Sequence, residues 1–302
     1  MGFYRHGNKW NLIAPFASRN LEEYMAMGKI PTSTQRGGLR LAADLTSALM
    51  VIHRGGDDPV AHHFAGYHHD LKPSNILVCD KIVSITDFGC IKVKKEKDTE
   101  LGCKLSYWSP LHVETQEDRT VSYRAPEYRP LPPAASTGRA GDIWSLGCIL
   151  AVILVWLFEG PAGVSRFHKA RETIRHSPEG DIITLHAFHN GLEVKPEVLD
   201  WLGDLEAKEA GAYPWIRHIV HLIRRMLETN PERRPTAAEV LQLLNMYIEN
   251  SSNSADINTG RILSDDETAK MEYTVEDTCS SRDLSNDAVS SNGPSLCVSY
   301  AN

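Results

Sequence analysis

The chain has 302 residues and a mass of 33.7 kDa, which is enough for one large or two ordinary domains with a substantial core. Its hydrophobic fraction of 42% and charged fraction of 24% are near the averages of globular proteins and exclude a wholly disordered, collagen-like or coiled-coil chain. The formal net charge of −7 and the isoelectric point near 6.0 do not favour a polyanionic partner, so we expect no binding to nucleic acid.

The first predicted elements along the chain are a strand and a helix. The apolar run WNLIA at residues 10–14 predicts the strand. A helix is predicted next, because apolar side chains recur at helical spacing at Leu41, Leu45, Leu49 and Ile52.

A small β-hairpin is predicted around residues 80–81, between the apolar runs 76–78 and 82–85. If the turn lies there, folding brings Asn75, just before the first strand, beside Asp87, just after the second. Two oxygen ligands then converge at one end of the hairpin. Mg²⁺ suits such a site, because it takes one or two protein oxygens and fills its other positions with water and phosphate.

Two further side chains on the loop before this hairpin have complementary chemistry. Asp70 is a proton acceptor, and Lys72 is a cation that would face the same point. An acceptor, a cation and a divalent metal site together predict phosphoryl transfer, where catalysis is mostly positioning and charge neutralisation.

The second half of the chain is predicted to be helical. Its most apolar run, residues 146–158, has 13 residues, fewer than the roughly 20 of a membrane helix, so we expect a core helix and no membrane span. Thr236 and Glu239 form a T-x-x-E capping box that begins a helix burying Leu241 and Leu244. Another helix is predicted where apolar residues recur at Ile216, Ile219, Ile223 and Met226.

The last segment of the chain is acidic and poor in large apolar residues. Residues 251–302 contain nine Asp or Glu and three Lys or Arg, so the rest of the chain is almost neutral. Such a composition buries too little apolar surface to offset the entropy of ordering. We therefore expect residues 250–302 to form a disordered tail rich in Ser and Asn.

The stretch from residue 67 to 89, YHHDLKPSNILVCDKIVSITDFG, contains H-x-D-x-K-x-x-N followed by D-F-G. It resembles the catalytic and metal-binding signature of eukaryotic protein kinases. Four later features follow in the order of that family: A-P-E at 125–127, D-I-W-S-L-G at 142–147, P-x-R-R-P at 231–235 and the capped helix. The resemblance covers roughly residues 3–248 and implies an α+β, mainly helical fold, namely a kinase-like C-terminal lobe with a remnant of the N-lobe sheet.

The resemblance implies a role for each matching residue of the site. Asp70 resembles the base that accepts or orients the proton of the substrate hydroxyl, and Lys72, in a D-L-K-P form typical of the Ser/Thr class, would neutralise the moving phosphoryl group. Thr120 lies where Ser/Thr kinases place a threonine that contacts both. Asn75 and Asp87 would hold Mg²⁺.

Other matching residues are implied to be structural. Glu127 and Arg234 resemble a buried ion pair beneath the substrate-binding loop. Asp142 is expected to bind the backbone of the catalytic loop, because a buried carboxylate needs hydrogen-bond donors. His68 is expected to pack beneath the D-F-G turn, which Phe88 and Gly89 complete.

Residues 12–17 (LIAPFA) look like the last strand of the small lobe running into the hinge that binds adenine. In that register Ala14 is the gatekeeper, Pro15 offers only a carbonyl, and Ala17 supplies both a donor and an acceptor. The alternative is a simple core strand. The implied domains are a remnant of the small lobe with the hinge at 1–17, the large lobe at 18–249 and the tail at 250–302.

The sequence departs from the family in what it lacks. No two glycines stand in a G-x-G pattern, no V-A-I-K-like strand precedes the hinge, and only nine residues precede Trp10. A small lobe needs about 45 residues. Because nothing would fix the ATP phosphates from above, we expect the chain alone to be weakly active or inactive. His69 also replaces the arginine that pairs with a phosphorylated activation segment, which predicts activity independent of such phosphorylation.

Two functions therefore remain open. The first is a Ser/Thr protein kinase that uses ATP and Mg²⁺ and acts on Ser or Thr of proteins. The second is a non-catalytic, pseudokinase-like scaffold that binds protein partners. The six cysteines form no C-x-x-C pair, and no secretory signal follows Met1, so we expect an intracellular protein, cytoplasmic or nuclear.

Overall fold

The computed structural model describes eleven segments of the chain. They are residues 2–6, 9–13, 17–28, 34–54, 64–79, 82–88, 92–95, 122–128, 138–176, 182–191 and 193–253. The predicted tail from residue 254 onward lies outside these segments, and so do the expected site residues Ala14, Pro15, Gly89 and Thr120.

Four small antiparallel sheets are described. Strands β1 (Gly2–His6) and β2 (Lys9–Ile13) pair only with each other, with Phe3 opposite Leu12. Strand β2 confirms the strand predicted at residues 10–14, whereas β1 was missed because five residues show too little alternation to reveal a strand. The other strands are β3 (Arg19–Asn20), β4 (Phe64–Tyr67), β5 (Ile76–Cys79), β6 (Ile82–Ile85), β7 (Lys92–Lys95), β8 (Thr173–His176) and β9 (Ile182–Leu185).

The predicted hairpin is present as β5 and β6, which form a three-stranded sheet with β3. Ile76 pairs with Ile85 and Cys79 with Ile82, which is the expected register; the predicted turn residues 80–81 lie outside the described segments. Strand β4 pairs with β7, with Tyr67 opposite Lys92. Strands β4 and β7, which pair with each other, therefore lie before and after the hairpin in the chain.

Helices make up most of the described structure. The predicted periodicities are confirmed: Leu45 and Leu49 are fully buried, and so are Ile216 and Ile223. The helices are α1 (Leu21–Ala26), α2 (Thr34–Arg54), α3 (Gly138–Ala170), α4 (Pro196–Glu209), α5 (Trp215–Met226) and α6 (Ala237–Asn253).

Helix α3 is the centre of the core. It packs against α1, α2, α4 and α5, which is why residues 143–158 are apolar on all sides apart from Ser145. The helix is long and apolar enough to cross a membrane, but 94% of its most apolar 18-residue window is buried inside the protein, as a core helix requires. Gly147 lets α5 approach closely, because a Cβ there would lie 2.9 Å from the Cβ of Met226. The helix breaks at Gly160, whose φ is 66°.

The last helix begins at the predicted capping box. The backbone N–H and the hydroxyl of Thr236 donate to the Glu239 carboxylate, and the Glu239 N–H donates back to the Thr236 hydroxyl. Leu244 is fully buried on this helix, whereas Leu241 is only partly buried. The helix continues to Asn253, four residues beyond the large-lobe boundary expected from composition, because each added residue gains a hydrogen bond at little cost. Together with the small sheets, these helices confirm the predicted α+β, mainly helical fold.

Candidate active site

Asn75 and Asp87 lie at the same end of the β5–β6 hairpin, one before β5 and the other after β6. The N–H of Thr86 donates to the carbonyl of Asn75 at 2.9 Å, which extends the ladder one step beyond Ile76 and Ile85. Asp87 follows immediately, and its side chain is exposed whereas Asn75 is buried. Asp87 has a φ of 61°, a left-handed backbone that an aspartate tolerates better than most residues.

Asp70 lies against Asn75 and Lys72. The amide nitrogen of Asn75 donates to the Asp70 carbonyl at 2.8 Å and to its carboxylate Oδ2 at 3.0 Å. The Lys72 Nζ lies 3.0 Å from the same carboxylate oxygen, and both side chains are mostly buried. A cation and an amide thus fix the orientation of the carboxylate, because charge-assisted hydrogen bonds are stronger than neutral ones.

Asp142 binds the backbone that leads into this loop. Its Oδ2 accepts from the N–H of His68 at 2.7 Å, and its Oδ1 accepts from the N–H of His69 at 2.9 Å. A third donor, which the sequence did not predict, is the His53 Nε2 at 3.0 Å. Asp142 is only 1% exposed, so these bonds replace water around a buried carboxylate. They also stabilise the left-handed backbone of His69, whose φ is 68°.

His68 joins the loop that carries Asp70 to the residues that follow β6. Its Nδ1 accepts from the N–H of Asp70 at 3.3 Å, so the proton of the neutral ring is on Nε2, which donates to the Thr86 carbonyl at 2.9 Å. The ring also meets Phe88 edge to face, with centroids 5.3 Å apart. The hairpin end and the loop therefore have a fixed relative position.

His69 contacts two tyrosines. Its Nδ1 lies 2.7 Å from the hydroxyl of Tyr128, and its ring lies edge-on to Tyr67, with centroids 4.5 Å apart. The Tyr128 contact connects the catalytic loop to the residue that follows the A-P-E motif. No sequence pattern indicates this contact, because the two residues are 59 positions apart.

Arg234 and Glu127 form a bidentate ion pair beneath the described segment 122–128. The guanidinium NH1 and NH2 donate to the two carboxylate oxygens at 2.6 Å and 2.8 Å. The Arg234 side chain is completely buried, and Glu127 is 9% exposed. Arg234 also donates to the carbonyls of Ala140 at 2.9 Å and Glu228 at 2.7 Å, so it joins three segments of the lobe.

Segment 122–128 is also held by a hydrogen bond from His189, which the sequence did not predict. The Gly191 N–H donates to the His189 Nδ1 at 2.8 Å, which leaves His189 Nε2 to donate to the Arg124 carbonyl at 3.0 Å. The ring of Phe188 contacts the Tyr123 ring at a tilt, with centroids 5.8 Å apart, and packs against the guanidinium of the buried Arg171, which is 3.8 Å from the Phe188 ring centre. Burial lowers the pKa of Arg171 to about 10, so it remains charged at neutral pH.

The structure thus brings Asp70, Lys72 and Asn75 into contact, with Asp142 beneath the loop. Asp87 follows Thr86, whose N–H donates to the Asn75 carbonyl, and His68 contacts Phe88. Of the expected hinge, only Ala17 is described; it is half-buried and lies two residues before β3, which pairs with β5 of the site hairpin. Within the described segments, no group of three or more His, Cys, Asp and Glu side chains is placed to hold a metal ion. A Mg²⁺ site with one carboxylate and one amide would not form such a group.

Known proteins share this sequence pattern. The chain matches the family model of the protein kinase domain over residues 2–244. Mitogen-activated protein kinase 16 from Oryza sativa subsp. japonica is 33% identical over 194 residues, which are 60% of this chain and 34% of that protein. Cyclin-dependent kinase-like 2 from Rattus norvegicus is 29% identical over 181 residues, which are 58% of this chain and 32% of that protein.

Mitogen-activated protein kinase HOG1 from Chaetomium globosum is 34% identical over 186 residues, which are 59% of this chain and 45% of that protein. The match therefore spans a third to a half of the length of these curated relatives. The family model, by contrast, covers most of the chain, from the first strand to the last helix. The chain belongs to the protein kinase domain family.

Proposed function

We propose that this chain is the large lobe of a Ser/Thr protein kinase, which transfers the γ-phosphate of ATP to hydroxyl groups of a protein. The observation that best supports this proposal is the hydrogen-bonded arrangement of Asp70, Lys72 and Asn75 at the hairpin end that also presents Asp87. A proton acceptor, a cation and two oxygen ligands at one point are the chemical requirements of phosphoryl transfer.

The proposed metal ligands are the side-chain oxygens of Asn75 and Asp87. Because the Asn75 amide nitrogen donates to Asp70, its Oδ1 is left as an acceptor for a hard cation such as Mg²⁺. When bound, Mg²⁺ neutralises phosphate charge and orients the group to be transferred. The exposed Asp87 carboxylate gives the ion access from solvent.

The proposed catalytic residues are Asp70 and Lys72. Asp70 would accept the proton of the attacking hydroxyl, and its orientation is fixed by Asn75. Lys72 would offset the negative charge of the transferring phosphoryl group. Thr120 is proposed to contact both, on the family pattern alone. The contact of His69 with Tyr128 supports a catalytic loop that is held without a phosphorylated residue.

The proposed nucleotide contacts above the site come from the hinge. Ala14, Pro15 and Ala17 would form the hinge for adenine, but the sequence contains no glycine loop and no lysine-bearing strand before them. We therefore propose that this chain by itself binds ATP weakly and transfers its γ-phosphate slowly. The same lack favours a second candidate, an intracellular pseudokinase-like scaffold that binds protein partners without catalysis.

Thermal unfolding with Mg-ATP and with ATP plus EDTA tests the proposal. A nucleotide at ten times its Kd stabilises the folded state by about 1.4 kcal/mol, which raises the Tm by about 3 °C for a domain of this size. We expect Asp87→Asn to lose the Mg²⁺-dependent part of this shift, because it loses the anionic ligand.

Asp70→Asn is the matched control, because it removes one carboxylate from the same site without removing a proposed metal ligand. It should keep the Mg²⁺-dependent shift. If the unchanged chain shows no shift at millimolar Mg-ATP, the catalytic proposal is wrong and the scaffold is favoured. An equal loss in both variants would contradict the assignment of Asp87 as the metal ligand.

A further inference from the structure

One face of α5 is strongly basic. Arg217, His221 and Arg224 are exposed at positions i, i+4 and i+7, so they follow one line along the helix; these three residues are the basic face. Arg225 lies half-buried at its edge. Helix α5 contains no acidic residue. Its opposite side is apolar and packs into the core.

Within the described part of the chain, the Arg224 guanidinium lies against Gly203 of helix α4, next in sequence to Asp204, so a carboxylate is near one end of the basic face. Neither Arg217 nor Arg224 forms an ion pair there, although the neighbouring helix α4 has the exposed carboxylates Asp200 and Asp204. The pKa of His218 is lowered mainly by burial and also by the nearby positive charges of His221 and Arg217. The face is therefore suited to an acidic partner.

The end of α6 lies beside this face. The ring of His218 stacks on Tyr247 of α6, with centroids 5.0 Å apart and planes at 14°. Tyr247 is six residues before Asn253, the last residue of the helix. Six helical residues rise about 9 Å, so the segment that follows α6 starts about that far along the helix from its contact with α5.

That segment has the complementary charge and sufficient length. Residues 256–287 contain all nine acidic residues of the tail, and its densest run, Asp265, Asp266 and Glu267, begins 12 residues after Asn253. Twelve extended residues span about 40 Å. Helix α5, with 12 residues, is about 18 Å long, so the run can reach the whole face.

We propose that the acidic segment 256–287 binds in cis to the basic face of α5. Single exposed ion pairs are weak, but the contacts of the two guanidinium groups of the face with several carboxylates add up. The short connection also makes the local concentration of the segment high, in the millimolar range for short flexible linkers. This inference does not depend on the proposed catalytic function, because none of its residues belongs to the candidate active site.

Photo-crosslinking of the full chain tests the proposal. A photoreactive benzoylphenylalanine replaces His221, and crosslinked peptides are identified by mass spectrometry in species of monomer mass. We expect crosslinks to residues 256–287 at about 50 mM salt and a loss of most of them at about 1 M, where charges are screened within about 3 Å. The yield should not change on dilution, because the contact is within one chain.

Charge reversal separates a specific contact from random proximity. Arg217→Glu with Arg224→Glu should lower the yield about fivefold or more, since each lost ion pair weakens binding severalfold. The matched control is Arg40→Glu with Arg139→Glu, two exposed arginines on α2 and α3 that give the same change in net charge. This control should retain the yield.

A compensating variant distinguishes the loss of charge complementarity from a folding defect. Reversing Asp265, Asp266 and Glu267 to lysine in the Arg217→Glu, Arg224→Glu background should restore the crosslinks. The proposal is overturned if crosslinks form only between two chains or only to another protein, if none form at low salt, or if the control and the reversed variant give equal yields. Failure of compensation would also contradict it.

Discussion

Replacing Asp142 with alanine is expected to lower the free energy of unfolding by about 3–5 kcal/mol. The substitution leaves the N–H groups of His68 and His69 and the Nε2 of His53 without their acceptor, in a region that is almost closed to water. Each orphaned buried donor costs about 1–3 kcal/mol. The left-handed backbone of His69 also loses the bond that stabilises it.

Urea unfolding, followed by circular dichroism, measures this change. Asp142→Asn should have an intermediate effect, because its amide oxygen can still accept one bond while its NH₂ group faces the remaining donors. Asp200→Ala is the matched control, since Asp200 is an exposed aspartate on another helix, and its expected effect is within about 0.5 kcal/mol. A loss below about 1 kcal/mol for Asp142→Ala would show that the loop does not depend on this carboxylate.

The local part of the site could be predicted from the sequence. The hairpin follows from two apolar runs that flank a turn, and its register alone places Asn75 near Asp87. The helices likewise follow from spacing, because burial of one face repeats every three or four residues. These features depend only on neighbours in the sequence.

The parts that could not be predicted depend on distant contacts. His53 meets Asp142 across 89 positions, and His69 meets Tyr128 across 59, so no spacing rule indicates either pair. Strand β7, with the sequence KVKK, is selected by its pairing with β4 and not by its own propensity, since lysine is depleted in strands. Tertiary packing determines these features.

The His53–Asp142 contact also changes how the site is understood. From the sequence, Asp142 is expected to bind one element, the catalytic loop. In the structure Asp142, which belongs to α3, binds both that loop and His53 of α2. A displacement of either helix would therefore be transmitted to the backbone next to Asp70.

Breaking the buried ion pair of Arg234 should have an effect of similar size. Glu127→Ala is expected to cost about 3–5 kcal/mol, because the Arg234 guanidinium stays buried and charged with only carbonyl partners. Arg234→Met should cost at least as much, since it also removes the donors to Ala140 and Glu228 and the contact over the Trp144 ring at 5.1 Å. Arg234→Lys should not preserve the stability, because lysine lacks the planar guanidinium that donates to both carboxylate oxygens of Glu127.

A double-mutant cycle in urea separates the pair from its surroundings. In Glu127→Ala combined with Arg234→Met, no buried charge is left unpaired, so the double variant should be more stable than the sum of the single effects by about 1–3 kcal/mol. Additive effects, within about 0.5 kcal/mol, would contradict a direct coupling of the two side chains. Because Glu127 lies in segment 122–128, the coupling energy also measures how firmly that segment is held to the helical lobe.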